Sequence, residues 1–228
     1  MRARIAVLAS GGGSNLQAIL DHLAALGERR AGDVVLVASD RPAARALDRA
    51  RARGIATAVI RTSAHPEGTP IGSVLRDARV DYVVLAGYLR LVPADVVRAY
   101  AGRMVNVHPA LLPAFGGPGM YGHHVHEAVI AAHVRESGAT VHFVDEEFDQ
   151  GAIIAQWAVP VSAGDSADTL ADRVLRVEHA LYPRVVQALA SGTLHPGQPA
   201  RVGRAAPLHL ADLDDRRLAE DIEHALGF

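Results

Sequence analysis

Neither cysteine nor lysine occurs in this chain of 228 residues. Without cysteine, disulfides, thiolate nucleophiles and thiolate metal sites are excluded. Without lysine, the chain cannot form a Schiff base or a serine–lysine dyad, and it lacks the lysine with which P-loop proteins hold phosphate. All 23 basic residues are therefore arginine. Any acid–base chemistry must rest on histidine, carboxylate, amide and hydroxyl groups.

Aromatic residues, net charge and long apolar runs are also scarce. The chain has five tyrosines, four phenylalanines and one tryptophan, and its formal net charge is −2. This composition argues against a nucleic-acid partner, because surfaces that bind nucleic acid are strongly basic. No apolar run reaches the roughly 18 residues that span a bilayer, and the N-terminus reads as a strand rather than a signal peptide. We therefore expect a cytoplasmic protein without a membrane partner.

Strand-like apolar runs alternate with helix-length segments along most of the chain. This alternation predicts an α/β fold with a mostly parallel, doubly wound sheet, and the closely spaced later strands predict an antiparallel addition. A stretch rich in proline, glycine and alanine, 196–207, is interpreted as a linker before a polar helix over 213–226. The predicted strands cover 5–9, 34–39, 58–60, 82–86, 105–108, 140–144 and 153–161. The predicted helices cover 14–26, 43–53, 74–78, 93–100, 126–134 and 166–189, the last capped by Ser166.

Asn106 and His108 are the first candidates for catalysis. They lie two residues apart at the end of an apolar strand that stops at Pro109. On a strand this spacing puts both side chains on one face, and ligand sites in α/β sheets form at the carboxyl ends of strands. An amide and a protonated imidazole can both donate to an oxygen that gains negative charge. The alternative is a purely structural hydrogen bond of a histidine before proline.

A glycine-rich turn with the sequence SGGGSNL, residues 10–16, joins the first strand to the first helix. Backbone N–H groups in such a turn, together with a helix N-terminus, bind phosphate. The dinucleotide fingerprint is broken because it needs glycine where Leu16 stands, although Asp40 after the second strand could still hold a ribose. We expect a small phosphate monoester as the ligand. The alternative is a plain strand-to-helix turn capped by Ser14.

An acidic loop with the sequence DEEFDQG, residues 145–151, connects two later strands. One of its carboxylates could orient His108 and favour its charged form. Spacing alone does not choose among the four carboxylates, and a solvated acidic loop is the alternative.

Three closely spaced histidines, His123, His124 and His126, suggest a metal at first sight. The zinc-binding pattern HExxH would need histidine where Ile130 stands, and cysteine ligands are lacking. We therefore expect no metal and interpret these residues as a surface turn and helix start.

Five motifs occur in an order that resembles the phosphoribosylglycinamide formyltransferases, which are folate-dependent enzymes. The resemblance extends from about residue 3 to residue 195. It implies a Rossmann-like formyltransferase domain over 1–195, with a phosphate-binding half (about 1–100), a folate and catalytic half (about 101–195) and a C-terminal extension over 196–228. The motifs are SGGGSNLQAI at 10–19, LAGYLR at 85–90, NVHPALLP at 106–113, VHFV at 141–144 with Asp149, and RVLRVEHALYP at 173–183.

The resemblance also implies an activity and a set of site residues. The implied reaction moves a formyl group from 10-formyltetrahydrofolate to the amine of 5'-phosphoribosylglycinamide in de novo purine biosynthesis, without a metal. Its implied partners are small molecules only, and the implied state is a monomer or homodimer. The implied catalytic residues are Asn106, His108 and Asp149, and the implied contacts to phosphoribosylglycinamide are Gly12, Gly13, Ser14, Asn15 and Glu178. The implied folate contacts are Leu89, Arg90, Leu91, Val92, Asn106, Asp145, Glu146, Glu147, Phe148 and Asp149.

The chain departs from the family pattern after Pro113, where the segment 114–126 is longer than usual. The accessory histidine of the family could match His123 or His124. Arg61 or Arg76 could contact the folate tail, because 64–73 has no basic residue other than histidine. The alternatives are another folate formyltransferase, a formyltetrahydrofolate hydrolase with the same catalytic trio, and a nucleotide-binding oxidoreductase or sensor.

Overall fold

The computed structural model describes residues 1–194, 201–203 and 220–222. The strands are β1 (Ala3–Leu8), β2 (Gly32–Ser39), β3 (Ala56–Val59), β4 (Tyr82–Leu85), β5 (Met104–His108), β6 (Glu136–Phe143), β7 (Ile153–Pro160) and β8 (Arg201–Gly203). The α-helices are α1 (Ser14–Leu26), α2 (Arg45–Ala52), α3 (Ile71–Asp77), α4 (Ala94–Ala99), α5 (His123–Ala131) and α6 (Ala167–Ala190), and a 3₁₀ turn covers Gly27–Arg29. Within the described residues, the strands form one sheet in the order β3-β2-β1-β4-β5-β6-β7-β8.

One strand, β6, runs opposite to all the other described strands of the sheet. Parallel pairing joins β3, β2, β1, β4 and β5, whereas β6 runs antiparallel to both β5 and β7. The predicted fold class, a mostly parallel sheet with an antiparallel addition, is confirmed. Because the order of the strands reverses beside β1, a crevice forms between the carboxyl ends of β1 and β4.

Two apolar layers cover the two faces of the sheet, and β1 supplies both. Ile5 and Val7 pack in the layer that contains α1, α2, α5 and α6, while Ala6 and Leu8 pack in the layer that contains α3 and α4. The part of a strand that is buried on both faces must be apolar at every position, which explains why residues 5–8 of β1 form a continuous apolar run.

The long helix α6 is fixed to the sheet near the crevice. Its N-terminus is the predicted Ser166 cap, which forms a capping box: Thr169 N–H donates to Ser166 Oγ at 3.2 Å, and Ser166 N–H donates to Thr169 Oγ1 at 3.0 Å. Further along, the buried Tyr182 hydroxyl lies 2.8 Å from the Leu85 carbonyl and 3.1 Å from the Val105 carbonyl. These contacts hold α6 against the ends of β4 and β5.

Most predicted elements differ from the structure by one or two residues at an end, and three differ by more. The helix α3 begins at Ile71 rather than at residue 74. The helix α5 covers 123–131 rather than 126–134, because Gly122 (φ 54°) precedes it and His133 (φ 51°) follows it, and each is in a left-handed conformation that interrupts a helix. The strand β6 begins at Glu136 rather than Thr140, since its first residues pair with the end of β7.

The predicted linker 196–207 is wrong at residues 201–203, which form β8 and pair in parallel with Ala155–Trp157 of β7. Of the helix predicted over 213–226, residues 220–222 are helical and the rest lie outside the described residues. Ile222 is fully buried in the core, and Asp221 pairs with Arg184 of α6.

Candidate active site

A cavity of about 420 Å³ opens at the carboxyl ends of β4 and β5, beside the start of α1. It brings together most of the predicted site residues from widely separated parts of the chain. Gly12, Gly13 and Ser14 lie in the turn that leads to Asn15 and are not part of the cavity wall. Glu146, in the acidic loop, is also outside the cavity wall. The predicted residues that line the cavity are Asn15, Leu89, Arg90, Leu91, Val92, Asn106, His108, Asp145, Glu147, Phe148, Asp149 and Glu178.

The Asp149 carboxylate lies between two imidazoles. Its Oδ2 is 3.5 Å from His108 Nδ1, and its Oδ1 is 3.5 Å from His142 Nε2. All three side chains are buried, with 3%, 3% and 9% of the His108, His142 and Asp149 side chains exposed. Among the four carboxylates of the acidic loop, Asp149 is therefore the one beside His108.

Asn106 completes this cluster through His142. The Asn106 Nδ2 atom lies 3.1 Å from His142 Nε2, and the two residues are directly opposite each other in the antiparallel pair of β5 and β6. His142 lies within the motif VHFV at 141–144, but the motif alone predicts no role for it. Its register with Asn106 depends on how β5 and β6 pair, which the sequence of either strand alone does not specify.

In each imidazole, one ring nitrogen lies within hydrogen-bond distance of a backbone carbonyl. His108 Nε2 lies 2.8 Å from the Phe115 carbonyl, and His142 Nδ1 lies 2.8 Å from the Phe143 carbonyl. A carbonyl only accepts, so these nitrogens carry the ring protons. The nitrogens that face Asp149, His108 Nδ1 and His142 Nε2, donate to that carboxylate when they carry a proton. An unprotonated His142 Nε2 instead accepts from the Asn106 amide.

Burial and neighbouring groups shift the pKa values of His108 and Asp149. Burial lowers the pKa of His108 below its usual value, although the Asp149 charge and the Phe115 carbonyl oppose this shift. For Asp149 burial raises the pKa, but hydrogen bonding from His142, the nearby His108 and the Gly117 N–H together bring the pKa below its usual value. Asp149 is thus a carboxylate at neutral pH, and its charge favours the protonated form of His108 against the effect of burial. The protonated His108 of the sequence analysis stays a prediction.

The glycine turn is fixed by α2, against which it packs. Ala46 N–H donates to the Gly11 carbonyl at 3.1 Å, and Arg49 Nε donates to the Gly12 carbonyl at 2.8 Å. In a planar trans peptide the C=O and the following N–H point in opposite directions, so the N–H groups of Gly12 and Gly13 point away from α2. Gly13 has φ 72°, and a Cβ there would lie 2.9 Å from Cα of Ala46.

Asn15 and Glu178 connect this turn to α6. The Asn15 side-chain amide donates to Glu178 Oε2 at 2.6 Å, while the Asn15 Oδ1 is buried without a protein partner among the described residues. Burial raises the pKa of Glu178 to about 7, and the Asn15 hydrogen bond only partly offsets this. Glu178 is therefore a cavity-wall carboxyl that can be neutral or ionised near neutral pH.

Asp40, the candidate ribose ligand of a dinucleotide site, has other partners. Its side chain is 2% exposed, accepts from Ser10 Oγ at 2.5 Å and pairs with Arg90 Nε at 2.9 Å. The same Ser10 hydroxyl accepts from the Leu89 N–H at 3.0 Å. Asp40 thus organises the segment after β4, and this arrangement disfavours the dinucleotide alternative.

The remaining predicted residues divide between the cavity and the surface. Glu146 forms a surface ion pair with Arg98 at 2.9 Å. His123 lines the cavity and binds Asp168 at 2.8 Å, whereas His124 lies outside the cavity wall and pairs with Glu127 at 3.2 Å. Of the two candidate accessory histidines, His123 is the one at the cavity.

His126 also lines the cavity and was missed as a site residue. Its side chain is 5% exposed, its Nδ1 is buried without a partner among the described residues, and burial lowers its pKa to about 4. Within the described residues, no group of three or more histidine or acidic side chains is placed to hold a metal. In that same part of the chain, no helix is both long and apolar enough to cross a membrane.

This geometry suits acyl chemistry on a neutral carbonyl. An amide donor and an imidazole lie beside a carboxylate that can accept a proton, and all three line one cavity. Asn15 and Glu178 line the same cavity, and Asn15 directly follows a glycine turn whose backbone N–H groups are of the kind that bind phosphate.

Comparison with known proteins gives consistent relatives. The chain is 46% identical over 192 residues to "Phosphoribosylglycinamide formyltransferase, chloroplastic" of Vigna unguiculata, covering 82% of this chain and 61% of that protein. It is 42% identical over 194 residues to "Phosphoribosylglycinamide formyltransferase" of Escherichia coli, covering 83% of this chain and 88% of that protein. The chain thus spans less than two thirds of the plant relative's length.

The solved structures agree with the sequence comparison. The crystal structure of glycinamide ribonucleotide transformylase 1 from Symbiobacterium toebii has a TM-score of 0.77 and 39% identity, covering 87% of this chain and 92% of that one. Residues 3–186, which include β1 to β7 and most of α6, match the family described as Formyl transferase. Since this match contains the whole cavity wall, the chain belongs to the formyl transferase family.

Proposed function

We propose that this chain transfers the formyl group of 10-formyltetrahydrofolate to the amine of 5'-phosphoribosylglycinamide. The product is formylglycinamide ribonucleotide, an intermediate of de novo purine biosynthesis. The observation that carries the proposal is that one cavity is lined both by Asn106, His108 and Asp149 and by the hydrogen-bonded pair Asn15 and Glu178. The printed names of the plant and bacterial relatives support the same reaction.

In this proposal the phosphoribosyl group binds at the start of α1. The N–H groups of Gly12 and Gly13, which point away from α2, and the helix N-terminus at Ser14 receive the phosphate dianion. Glu178 accepts from the ribose hydroxyls, and Asn15, already bonded to Glu178, keeps that carboxyl in place. The glycinamide amine then extends toward Asn106.

The folate binds as a co-substrate against the segment after β4. The cavity wall there includes Leu89, Arg90, Leu91 and Val92, together with the acidic-loop residues Asp145, Glu147, Phe148 and Asp149. The mixture of apolar side chains with a few polar groups fits a flat heteroaromatic ring whose edge carries donors and acceptors. The residues that contact the folate tail remain a prediction.

The chemical step begins when the neutral amine of glycinamide attacks the formyl carbon. The C–N bond that forms converts the carbonyl oxygen to an oxyanion, which Asn106 and His108 stabilise as hydrogen-bond donors. To donate from Nε2, the ring of His108 exchanges its bond to the Phe115 carbonyl for a bond to the oxyanion. Since negative charge develops beside it, the imidazole also gains basicity during this step.

The proton of the amine must reach the departing nitrogen of the folate. Asp149 is a carboxylate at neutral pH, and it can accept the proton from the attacking amine through a water. The C–N bond to the folate then breaks as that nitrogen takes the proton. One C–N bond forms, one C–N bond breaks and one proton moves between the two nitrogens, so the reaction needs neither a metal nor a covalent enzyme intermediate.

A formyltetrahydrofolate hydrolase is the alternative that shares this catalytic trio. The two reactions differ in the acceptor, which is an amine in one case and water in the other. The test is to supply folate with a ¹³C-labelled formyl group and follow the label by NMR, with and without phosphoribosylglycinamide. Label in a new formamide that depends on phosphoribosylglycinamide supports the proposal, whereas label released as formate at the same rate in both samples contradicts it.

The cytoplasmic location and the monomeric or homodimeric state remain predictions. Size-exclusion chromatography with light scattering, over a range of protein concentrations, measures the oligomeric state directly.

A further inference from the structure

Three segments from different parts of the chain meet at Asp40, which directly follows β2. The Ser10 hydroxyl donates to Asp40 Oδ1 at 2.5 Å, and Arg90 Nε donates to Asp40 Oδ2 at 2.9 Å. The same hydroxyl accepts from the Leu89 N–H at 3.0 Å, and the Ser10 N–H donates to the Gly87 carbonyl at 2.9 Å. Ser10 begins the glycine turn and the last three residues follow β4, so these four bonds tie the two segments together.

We propose that Asp40 and Ser10 are positioning residues that hold the glycine turn and the segment 87–90 in one arrangement, so that both substrate sites depend on one buried link. This meaning of the link rests on the proposed formyl transfer, in which the turn receives the phosphate and residues 89–92 contact the folate. Neither Asp40 nor Ser10 is part of the cavity wall, so each acts through the segment that it fixes.

The order of the strands brings the linked residues to one edge of the sheet. The strand β1 lies between β2 and β4 and runs parallel to both, so the carboxyl ends of the three strands are neighbours. The Ala9 N–H donates to the Ala38 carbonyl at 3.0 Å, and the Ala86 N–H donates to the Leu8 carbonyl at 2.8 Å. The three strands are therefore paired up to the point where the link begins.

Burial makes the Asp40 carboxylate depend on its two donors. Its side chain is 2% exposed, and a buried carboxylate is costly unless its oxygens accept hydrogen bonds. Ser10 serves one oxygen and Arg90 serves the other, whereas the guanidinium of Arg41 lies 4.0 Å away and is 58% exposed. Moving the glycine turn and the segment 87–90 apart would leave a buried oxygen without its donor, so the carboxylate opposes their separation.

Arg90 takes part both in the link and in the cavity wall. Its side chain is 46% exposed and lines the cavity, while its Nε is bound to Asp40. A variant of Arg90 alone therefore changes a cavity-wall side chain as well as the link. Variants of Ser10 and Asp40, which lie behind the wall, test the link itself.

The first test measures the binding of each substrate separately in Ser10→Ala. Titration calorimetry gives Kd for phosphoribosylglycinamide alone and for tetrahydrofolate alone, the formyl-free product of the proposed reaction. The variant removes the hydroxyl that joins Leu89 to Asp40. We expect both Kd values to rise about tenfold, the factor expected for one hydrogen bond to a charged group. A wild-type Kd for either ligand would overturn the proposal.

The second test separates the two halves of the link with Asp40→Asn. This variant keeps an oxygen for the Ser10 hydroxyl but places an NH₂ group against Arg90 Nε, which is also a donor. We expect Kd for tetrahydrofolate to rise about tenfold and Kd for phosphoribosylglycinamide to rise less than about threefold, because only one bond is lost. A purely structural role of Asp40 would lower stability without this difference between the ligands, and equal changes in both Kd values would overturn the proposal.

A double-mutant cycle shows whether Asp40 acts through Arg90. In an Arg90→Met background the bond that Asp40→Asn removes is already absent, so Asp40→Asn should leave Kd for tetrahydrofolate almost unchanged. The same tenfold rise in both backgrounds would contradict the link between these two side chains.

The matched control is Asp48→Asn, which removes the same charge from the surface of α2. The Asp48 side chain is 71% exposed and pairs with Arg51 at 2.9 Å. Both Kd values should stay at those of the wild type. A tenfold rise in the control would attribute the effects to net charge and overturn the proposal.

Failure of the link differs from failure of the proposed function. A wild-type chain that binds neither phosphoribosylglycinamide nor tetrahydrofolate rejects the proposed function. A wild-type chain that binds both, with unchanged Kd values in Ser10→Ala and Asp40→Asn, rejects the link and leaves formyl transfer intact. Urea unfolding shows which variants are folded at the assay temperature. If Ser10→Ala does not fold, the difference between the two ligands in Asp40→Asn still decides.

Discussion

The Asn15 side chain donates to the Glu178 carboxyl at 2.6 Å, between residues 163 positions apart in the chain. This bond joins the first turn of α1 to the middle of α6. Because both residues also line the cavity, the proposed phosphate end of the site and the proposed ribose ligand form one unit.

The buried carboxyl of Glu178 should make stability depend on pH. Its pKa in the folded chain is about 7, above the usual 4.5, because of burial. The stabilisation of the protonated form is complete below about pH 4.5 and is lost as the pH rises through about 7. At pH 8, where the carboxyl is ionised, its contribution to the free energy of unfolding is about 3 kcal/mol lower than below pH 4.5, where it is protonated.

Glu178→Gln removes this ionisation and keeps an oxygen that can accept from Asn15. We therefore expect the variant to gain stability over the wild type when the pH is raised from 5 to 8. Urea unfolding at the two pH values measures the difference. An equal difference at both values would show that Glu178 does not titrate in this range.

Asn106→Ala should reduce turnover much more than stability. Loss of one oxyanion donor lowers kcat by about 10²–10³. The lost hydrogen bond to His142 should reduce the free energy of unfolding by only about 1 kcal/mol. Steady-state kinetics and urea unfolding of the same preparation test both parts, and unchanged kcat in a folded variant would remove Asn106 from the mechanism.

Gly13→Ala should destabilise the glycine turn, whereas Gly12→Ala should not. An alanine at position 13 would need a left-handed φ, which costs about 1–2 kcal/mol, and its Cβ would press on the Ala46 backbone. Gly12 has no neighbour within 4 Å of an added Cβ and no positive φ. Denaturant unfolding of both variants measures this contrast, and equal losses of stability would contradict it.

Arg49→Met should weaken binding of the phosphate-bearing substrate. The Arg49 guanidinium binds the Gly12 carbonyl at 2.8 Å and so directs the following N–H away from α2. We expect KM for phosphoribosylglycinamide to rise about tenfold, with a smaller change in kcat. A tenfold rise corresponds to a loss of about 1.4 kcal/mol in binding free energy.

The matched control is Arg53→Met, which removes the same charge at the end of α2. Arg53 pairs with Asp21 on the surface at 2.6 Å. The control should keep the wild-type KM. A tenfold increase in both variants would attribute the effect to net charge rather than to the turn.

The sequence predicts the centre of the sheet well, because its strands are buried on both faces. The strands β4 and β5 were located to within one residue, since each is a short apolar run followed by a turn or by proline. The strand β8 was missed because residues 201–203 join the sheet only by pairing with β7. Their own sequence, among proline, glycine and alanine, is typical of a linker.

The site is predictable where its geometry is local. Asn106 and His108 reach the same cavity because alternate residues of a strand share a face. Contacts between distant segments could not be predicted from spacing. The pairing of Asn106 with His142 follows from the register of β5 and β6, and the contact of Phe115 with His108 follows from a left-handed turn at an aromatic residue.

The most direct test of the account is a crystal structure with phosphoribosylglycinamide and a folate analogue that lacks the formyl group. We predict that the phosphate accepts from the backbone N–H groups at Gly12 and Gly13, and that the glycinamide amine lies beside Asn106 and His108, facing the folate nitrogen. A phosphate bound elsewhere, or a folate analogue outside the cavity that contains Asp149, would contradict it.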